Sequence, residues 1–75
     1  MDPHRLVQMA NQIGTFFQSE PDHAAALDGI AMHIRRFWDP RMRSQILTWL
    51  DEHAGEGLSD IVAEAIRSHR DKLAA

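Results

Sequence analysis

Arg35-Arg36-Phe37-Trp38-Asp39-Pro40-Arg41-Met42-Arg43 joins the end of one amphipathic pattern to the start of the next, and its Asp-Pro pair separates two helices. Proline disfavours helix in the residue before it, yet its fixed φ suits the first helical turn. Aspartate ahead of it can accept a hydrogen bond from an orphan amide and complements the helix dipole. One helix is therefore expected to end near Trp38 and another to start at Pro40, with a sharp corner between them. Phe37 and Trp38 follow the phase of the preceding apolar stripe, which assigns both to the core, while Asp39 and Pro40 set the angle.

Upstream of the corner, Leu27, Ile30, Ala31 and Ile34 recur at helical spacing. Before them Leu6, Met9, Ala10, Ile13, Phe16 and Phe17 form another stripe, introduced by Asp2-Pro3. Ser19-Glu20-Pro21-Asp22 makes the turn between these two segments. Downstream, Met42, Ile46, Trp49 and Leu50 define a third stripe that stops around His53 to Gly55, where glycine suits a left-handed C-terminus. Ser59 caps a fourth segment with Leu58, Ile61, Val62, Ala65, Ile66 and Leu73 as its apolar positions. The fold class is all-α: one domain over residues 1–75, a small bundle or orthogonal array of four helices at about 3–18, 21–38, 40–53 and 59–72. From Lys72 onward the chain is expected to fray.

Composition bounds what such a domain can be. At 75 residues it buries only about 60% of the surface its unfolded chain exposes, so the core is small. With no cysteine, a disulfide scaffold and a thiolate metal site are excluded, which leaves regular helix packing or a partner. A net charge of −3 with 44% hydrophobic residues describes an ordinary globular chain rather than a disordered one. The longest uncharged run, Leu6 to Ser19, is too short and too polar to span a bilayer. No secretory pattern opens the chain, so a cytoplasmic location is the default.

The outer faces of the four segments differ. The last carries Asp60, Glu64, Arg67, Arg70, Asp71 and Lys72, with Glu64–Arg67 and Arg67–Asp71 spaced for weak ion pairs, as on a solvated face. The first carries Gln8, Asn11, Gln12, Thr15 and Gln18 and no charge between Arg5 and Glu20. Such depletion is an interface trait, although amides also tolerate water. In the second, Ala25, Gly29, Met32 and Arg36 share a side away from the main stripe; Gly29 costs about 1 kcal/mol relative to alanine, so close packing is expected to require it. Arg43 falls beside the apolar stripe of the third segment and must snorkel, pair with Asp39 one turn back, or meet a partner. Arg35, Arg36 and Arg41 have no such local explanation. These considerations make Arg35, Arg36, Arg41, Arg43, Gln8, Asn11, Gln12, Gly29 and Met32 the candidate partner-binding residues.

Chemistry of other kinds finds little support. No two of His4, His23, His33, His53 and His69 are three or four apart, the spacing a helix-borne metal pair needs. Ser19 and Ser59 read as turn and cap residues, Asp51 and Glu52 diverge around a helix, and Gly55-Glu56-Gly57 is an interhelical turn rather than a phosphate loop. Catalytic, cofactor and metal sites are therefore not expected in this chain. A helix-turn-helix nucleic-acid protein is the rival from another class. Of eight basic residues four lie in the Arg35–Arg43 stretch, leaving four against ten acidic ones elsewhere, an unfavourable background for phosphate contacts.

Taken with Gly29-Ile30-Ala31-Met32-His33-Ile34 before it, the Arg35–Arg43 string resembles the signature of the delta subunit of NAD-dependent formate dehydrogenases. Met9-Ala10-Asn11-Gln12-Ile13-Gly14-Thr15-Phe16-Phe17 resembles the family's N-terminal motif, and Gly57-Leu58 through Val62, Glu64, Ala65 and Ile66 its C-terminal one. The resemblance implies a small, non-catalytic accessory subunit of a cytoplasmic complex that oxidises formate with NAD. It further implies that the molybdenum or tungsten pterin, iron-sulfur clusters and FMN lie in partner subunits. The implied partner is the large catalytic subunit, which the chain would stabilise or assist in maturation and cofactor insertion. A free-standing homodimeric adaptor, in which the uncharged faces of the first two helices meet their own copies, is the alternative.

Overall fold

Three aspartates begin three helices. In the computed structural model, which describes residues 2–74, the Asp2 side chain accepts from the His4 amide at 3.0 Å, Asp22 from Ala25 at 3.3 Å and Asp39 from Met42 at 2.9 Å. The helices they start are α1 (Pro3–Phe17), α2 (His23–Phe37) and α3 (Pro40–His53), followed by α4 (Asp60–Ser68) and α5 (Arg70–Ala74). Proline occupies the first turn of α1 and α3. In Pro21-Asp22 the order is reversed, so Asp22 is the cap, Pro21 lies outside, and α2 begins two residues later than its apolar pattern suggests.

The fourth expected helix is two helices. Ser68 Oγ donates to the carbonyls of Glu64 at 2.8 Å and Ala65 at 3.3 Å, the back-bonding that bends helices, and His69 leaves helical geometry at φ −118°, ψ 24°. The bend turns α5 so that Leu73, 2% exposed, enters the core. Fraying from Lys72 is thereby overturned through residue 74; Ala75 lies outside the described residues.

One apolar cluster draws on all five helices. Its largest fully buried side chains are Leu6 from α1, Ile30 and Ile34 from α2, Ile46 from α3, Val62 and Ile66 from α4, and Leu73 from α5. Central to it is α2, which packs against α1, α4 and α5, whereas α3 packs against α1 and α5. Among the described residues, neither α2 and α3 nor α3 and α4 lie along each other. Consecutive helices of an up-and-down bundle do, so the array is the better description of the two. Polar contacts cross between helices: His23 of α2 meets Glu64 of α4 at 2.9 Å, Asp28 of α2 meets His69 at 3.6 Å and Lys72 of α5 at 3.9 Å, and Arg70 of α5 forks onto Asp51 of α3 in an ion pair. Glu64 thus faces His23 rather than the expected Arg67.

Where α3 ends, Ala54 takes the left-handed conformation at φ 54° and Gly55 continues it at φ 69°, one residue earlier than glycine's preference suggests. The loop that follows is pinned from two sides. Asn11 donates through Nδ2 to the Gly57 carbonyl at 2.9 Å and accepts through Oδ1 from the Ser59 amide at 2.9 Å, while Trp49 Nε1 donates to the Glu56 carbonyl at 2.7 Å. Ser59 holds the N-cap position of α4 but makes no capping bond through its side chain.

Candidate functional site

Adjacent residues on a helix point about 100° apart, so two neighbouring aromatics compete for one buried stripe. At the corner, the conflict is resolved by ending α2 at Phe37. Trp38 adopts extended backbone, φ −88° and ψ 139°, and swings into the core, leaving Phe37 outside and 67% exposed. This corrects the expectation that both rings are core. Phe37 instead lies over His33 one turn back, ring centroids 4.7 Å apart. At the end of α1 the same conflict turns Phe17 inward, partly buried against the core, and leaves Phe16 76% exposed. The two phenylalanines meet edge to face at 5.0 Å.

Phe17 explains Gly29. A Cβ at that position would overlap the Phe17 ring, so glycine is what allows the end of α1 to close on the middle of α2. Beside that contact runs an open groove lined by Phe17, Gly29, Met32, His33, Arg35, Arg36 and Phe37. Met32, 44% exposed, also borders a second depression that continues past Arg35 to Asp71 and Lys72 of α5. An apolar floor with charged edges is how protein-binding surfaces are built. No carboxylate lies within 4 Å of either arginine among the described residues, in contrast to Arg70 and Lys72.

The candidate residues separate into distinct places. Gly29, Met32, Arg35 and Arg36 converge on the groove, and Phe37 joins them from the corner. Arg41 lies in a shallow depression with Asp39 and Pro40. Gln8 and Gln12 are exposed on α1 and do not line the groove. Arg43 is 6% exposed and points inward: Nη1 donates to the carbonyls of Arg35 at 2.8 Å and Trp38 at 3.2 Å. The contacts of Nη1 are with these two carbonyls rather than with the Asp39 carboxylate one turn back that its spacing suggests. Arg43 secures the C-terminal end of α2, and its assignment to a partner surface is corrected accordingly.

Asn11 likewise has an internal task in the loop. Asn11→Ala removes both partners of that loop and is expected to cost about 1–3 kcal/mol, a drop of several degrees in Tm for a domain of this size. Thermal unfolding followed by circular dichroism checks it; an unchanged melting curve would return Asn11 to the list of candidate surface residues. Phe16 and Phe17, assigned by phase to the apolar stripe of α1, and His33 and Lys72 belong to the groove region although none of the four is among the candidate partner-binding residues. The signal available for two of them was the adjacent pair Phe16-Phe17 at a helix end.

The histidines are dispersed. His23 and His69 face acidic residues, His33 lies under Phe37, and His4 and His53 contact Trp49 at centroid distances of 5.5 and 4.3 Å. No group of three or more His, Asp or Glu side chains among the described residues is placed to hold a metal ion, and no helix among them is long and apolar enough to cross a membrane. The groove contains no carboxylate to act with His33 as an acid-base pair; what it offers is apolar contact and two guanidinium groups.

Comparison with known proteins agrees with the motifs. The family model for the NADH-dependent formate dehydrogenase delta subunit, FdsD, matches residues 5–66 of the 75. No curated protein and no solved structure matches the chain.

Proposed function

The chain belongs to the FdsD family of formate dehydrogenase delta subunits, and from that premise we propose that it is a non-catalytic accessory subunit of a cytoplasmic NAD-dependent formate dehydrogenase. It docks on the large catalytic subunit and either stabilises it or keeps it open to cofactor insertion. The observation that carries this reading is the α2 groove, where Phe37 and Met32 stand exposed beside Arg35 and Arg36. Aromatic, methionine and arginine side chains are enriched at protein interfaces, and arginine is among the residues that dominate their binding energy. The molybdenum or tungsten pterin, iron-sulfur clusters and FMN are assigned to the other subunits; a chain without cysteine leaves thiolate ligation of a cluster to them.

A homodimer through the same groove is disfavoured by charge. Such a dimer would enclose the arginine pairs of both copies in a surface whose groove no carboxylate lines. Nucleic-acid binding is disfavoured by the acidic excess of the whole chain and by the Asp39 carboxylate at the start of α3.

Co-expression of the tagged chain with the larger subunits of its complex tests the proposal. The chain is expected to elute with the large catalytic subunit at a fixed ratio. Omitting it is expected to lower the yield of soluble large subunit under the stabilising role, or its pterin content at unchanged yield under the maturation role. Elution of the chain alone, with the large subunit unaffected by its absence, would overturn the reading.

A further inference from the structure

We infer that the groove on α2 receives a short amphipathic helix of the larger subunit that carries carboxylates on one flank. The inference rests on the accessory-subunit reading and adds the chemistry of the segment that is bound. Three observations lead to it. First, the groove follows α2 from Gly29 to Arg36, which at 1.5 Å per residue is about 10 Å of helix axis, two turns. That length matches two apolar anchors three or four residues apart on an opposing helix. Second, its lining includes Phe17, Met32 and Phe37; methionine adapts to irregular apolar side chains and phenylalanine offers a large apolar face. The described residues contain no strand, so an extended segment has no sheet edge to join, and helix-in-groove packing is the mode the surface supports.

Third, charge selects the flank. Arg35 borders both the groove and the depression toward Asp71 and Lys72, and Arg36 borders the groove, which no carboxylate lines. Among the described residues neither arginine has a carboxylate within ion-pair distance, although the chain contains 11 acidic residues. A guanidinium fork accepts a carboxylate in bidentate geometry. A bound helix with Asp or Glu on the side facing α2's last turn supplies what the chain itself does not place there.

The absence of cysteine from the chain gives a clean test. Met32→Cys creates a single attachment point for a maleimide-linked benzophenone, and irradiation of the assembled complex marks whatever lies over the groove. The expected target is a helical segment of the larger subunit with apolar residues three or four apart and at least two carboxylates within a turn of them. Cross-links to a second copy of this chain, cross-links to a segment without carboxylates, or none in an assembled complex would overturn the inference. Should the label block assembly, the unlabelled pair Arg35→Gln and Arg36→Gln decides. Its association is expected to weaken about tenfold at low salt and to lose most of the dependence on NaCl that the parent shows; an undiminished salt dependence would overturn it. Retention of the parent chain by phosphatidylserine vesicles, lost in the same Gln pair, would assign the groove to an anionic membrane surface instead. Assembly through another face removes this inference alone, whereas failure of the unmodified chain to assemble at all removes the accessory-subunit reading beneath it.

Discussion

Arg43→Met is expected to destabilise the isolated chain by about 3 kcal/mol and to lower its Tm by more than 10 °C. The side chain is buried and its guanidinium serves the carbonyls of Arg35 and Trp38, at the end of α2 where carbonyls lack helical partners. Methionine fills similar volume and donates nothing, so those acceptors lose a charged donor. Hydrogen bonds to a charged group are worth about 1.5–3 kcal/mol each. Replacing a buried arginine by an apolar residue is often harmless where a whole ion pair is removed together. Here only the donor goes and the carbonyls stay, which decides the sign. Arg36→Met, on the exposed side of the same corner, is expected to change stability by less than about 0.5 kcal/mol. Equal melting of the two variants would contradict the division of the arginines into internal and external ones.

The largest effect on association is expected from Arg35→Glu together with Arg36→Glu. Reversal replaces two attractive contacts by two repulsive ones, and the complex is expected to weaken about a hundredfold, roughly 2.7 kcal/mol. Two acidic side chains in the last turn of α2 oppose its dipole and cost about 0.3–1 kcal/mol each, so the free variant should melt several degrees lower while keeping its helicity. That loss, about 0.6–2 kcal/mol in stability, is below the effect expected on binding. Titration of the large subunit against parent and variant, with circular dichroism on each, separates the two quantities. Undiminished binding would remove both arginines from the interface.

These two variants mark the boundary between what the chain's pattern discloses and what only packing decides. The starts of α1 and α3 were legible because each rests on one local bond accepted by an aspartate, at Asp2 and Asp39, whereas α2 begins at His23, two residues past its expected start, because Asp22 and not Pro21 sets it. The uncharged outer side of α2 was legible too, since phase alone puts Gly29, Met32 and Arg36 together. Phase was insufficient where the helix stops. Whether Phe37 or Trp38 is buried depends on Trp38 leaving helical geometry, and the same departure leaves the carbonyls that Arg43 engages. Phase placed Arg43 beside the core, but its partners belong to another helix and have no signature in the sequence around it. Asn11 was misread for a similar reason: its hydrogen bonds reach 46 and 48 residues along the chain. The break at Ser68 and His69 arises from a side chain competing for the helix's own carbonyls, and apolar spacing, which continues through it to Leu73, gives no warning.

Oxidation footprinting at Met32 addresses the central claim most directly, that folding uses Arg43 and leaves the α2 groove for a partner. Met32 is exposed in the free chain, while Met9 and Met42 are partly buried and serve as internal references. With hydrogen peroxide, or hydroxyl radicals at short exposure, Met32 is expected to oxidise fastest of these three in the free protein and at least tenfold more slowly in the assembled formate dehydrogenase, with Met9 and Met42 changed little. Equal oxidation of Met32 in the free and assembled states would contradict it.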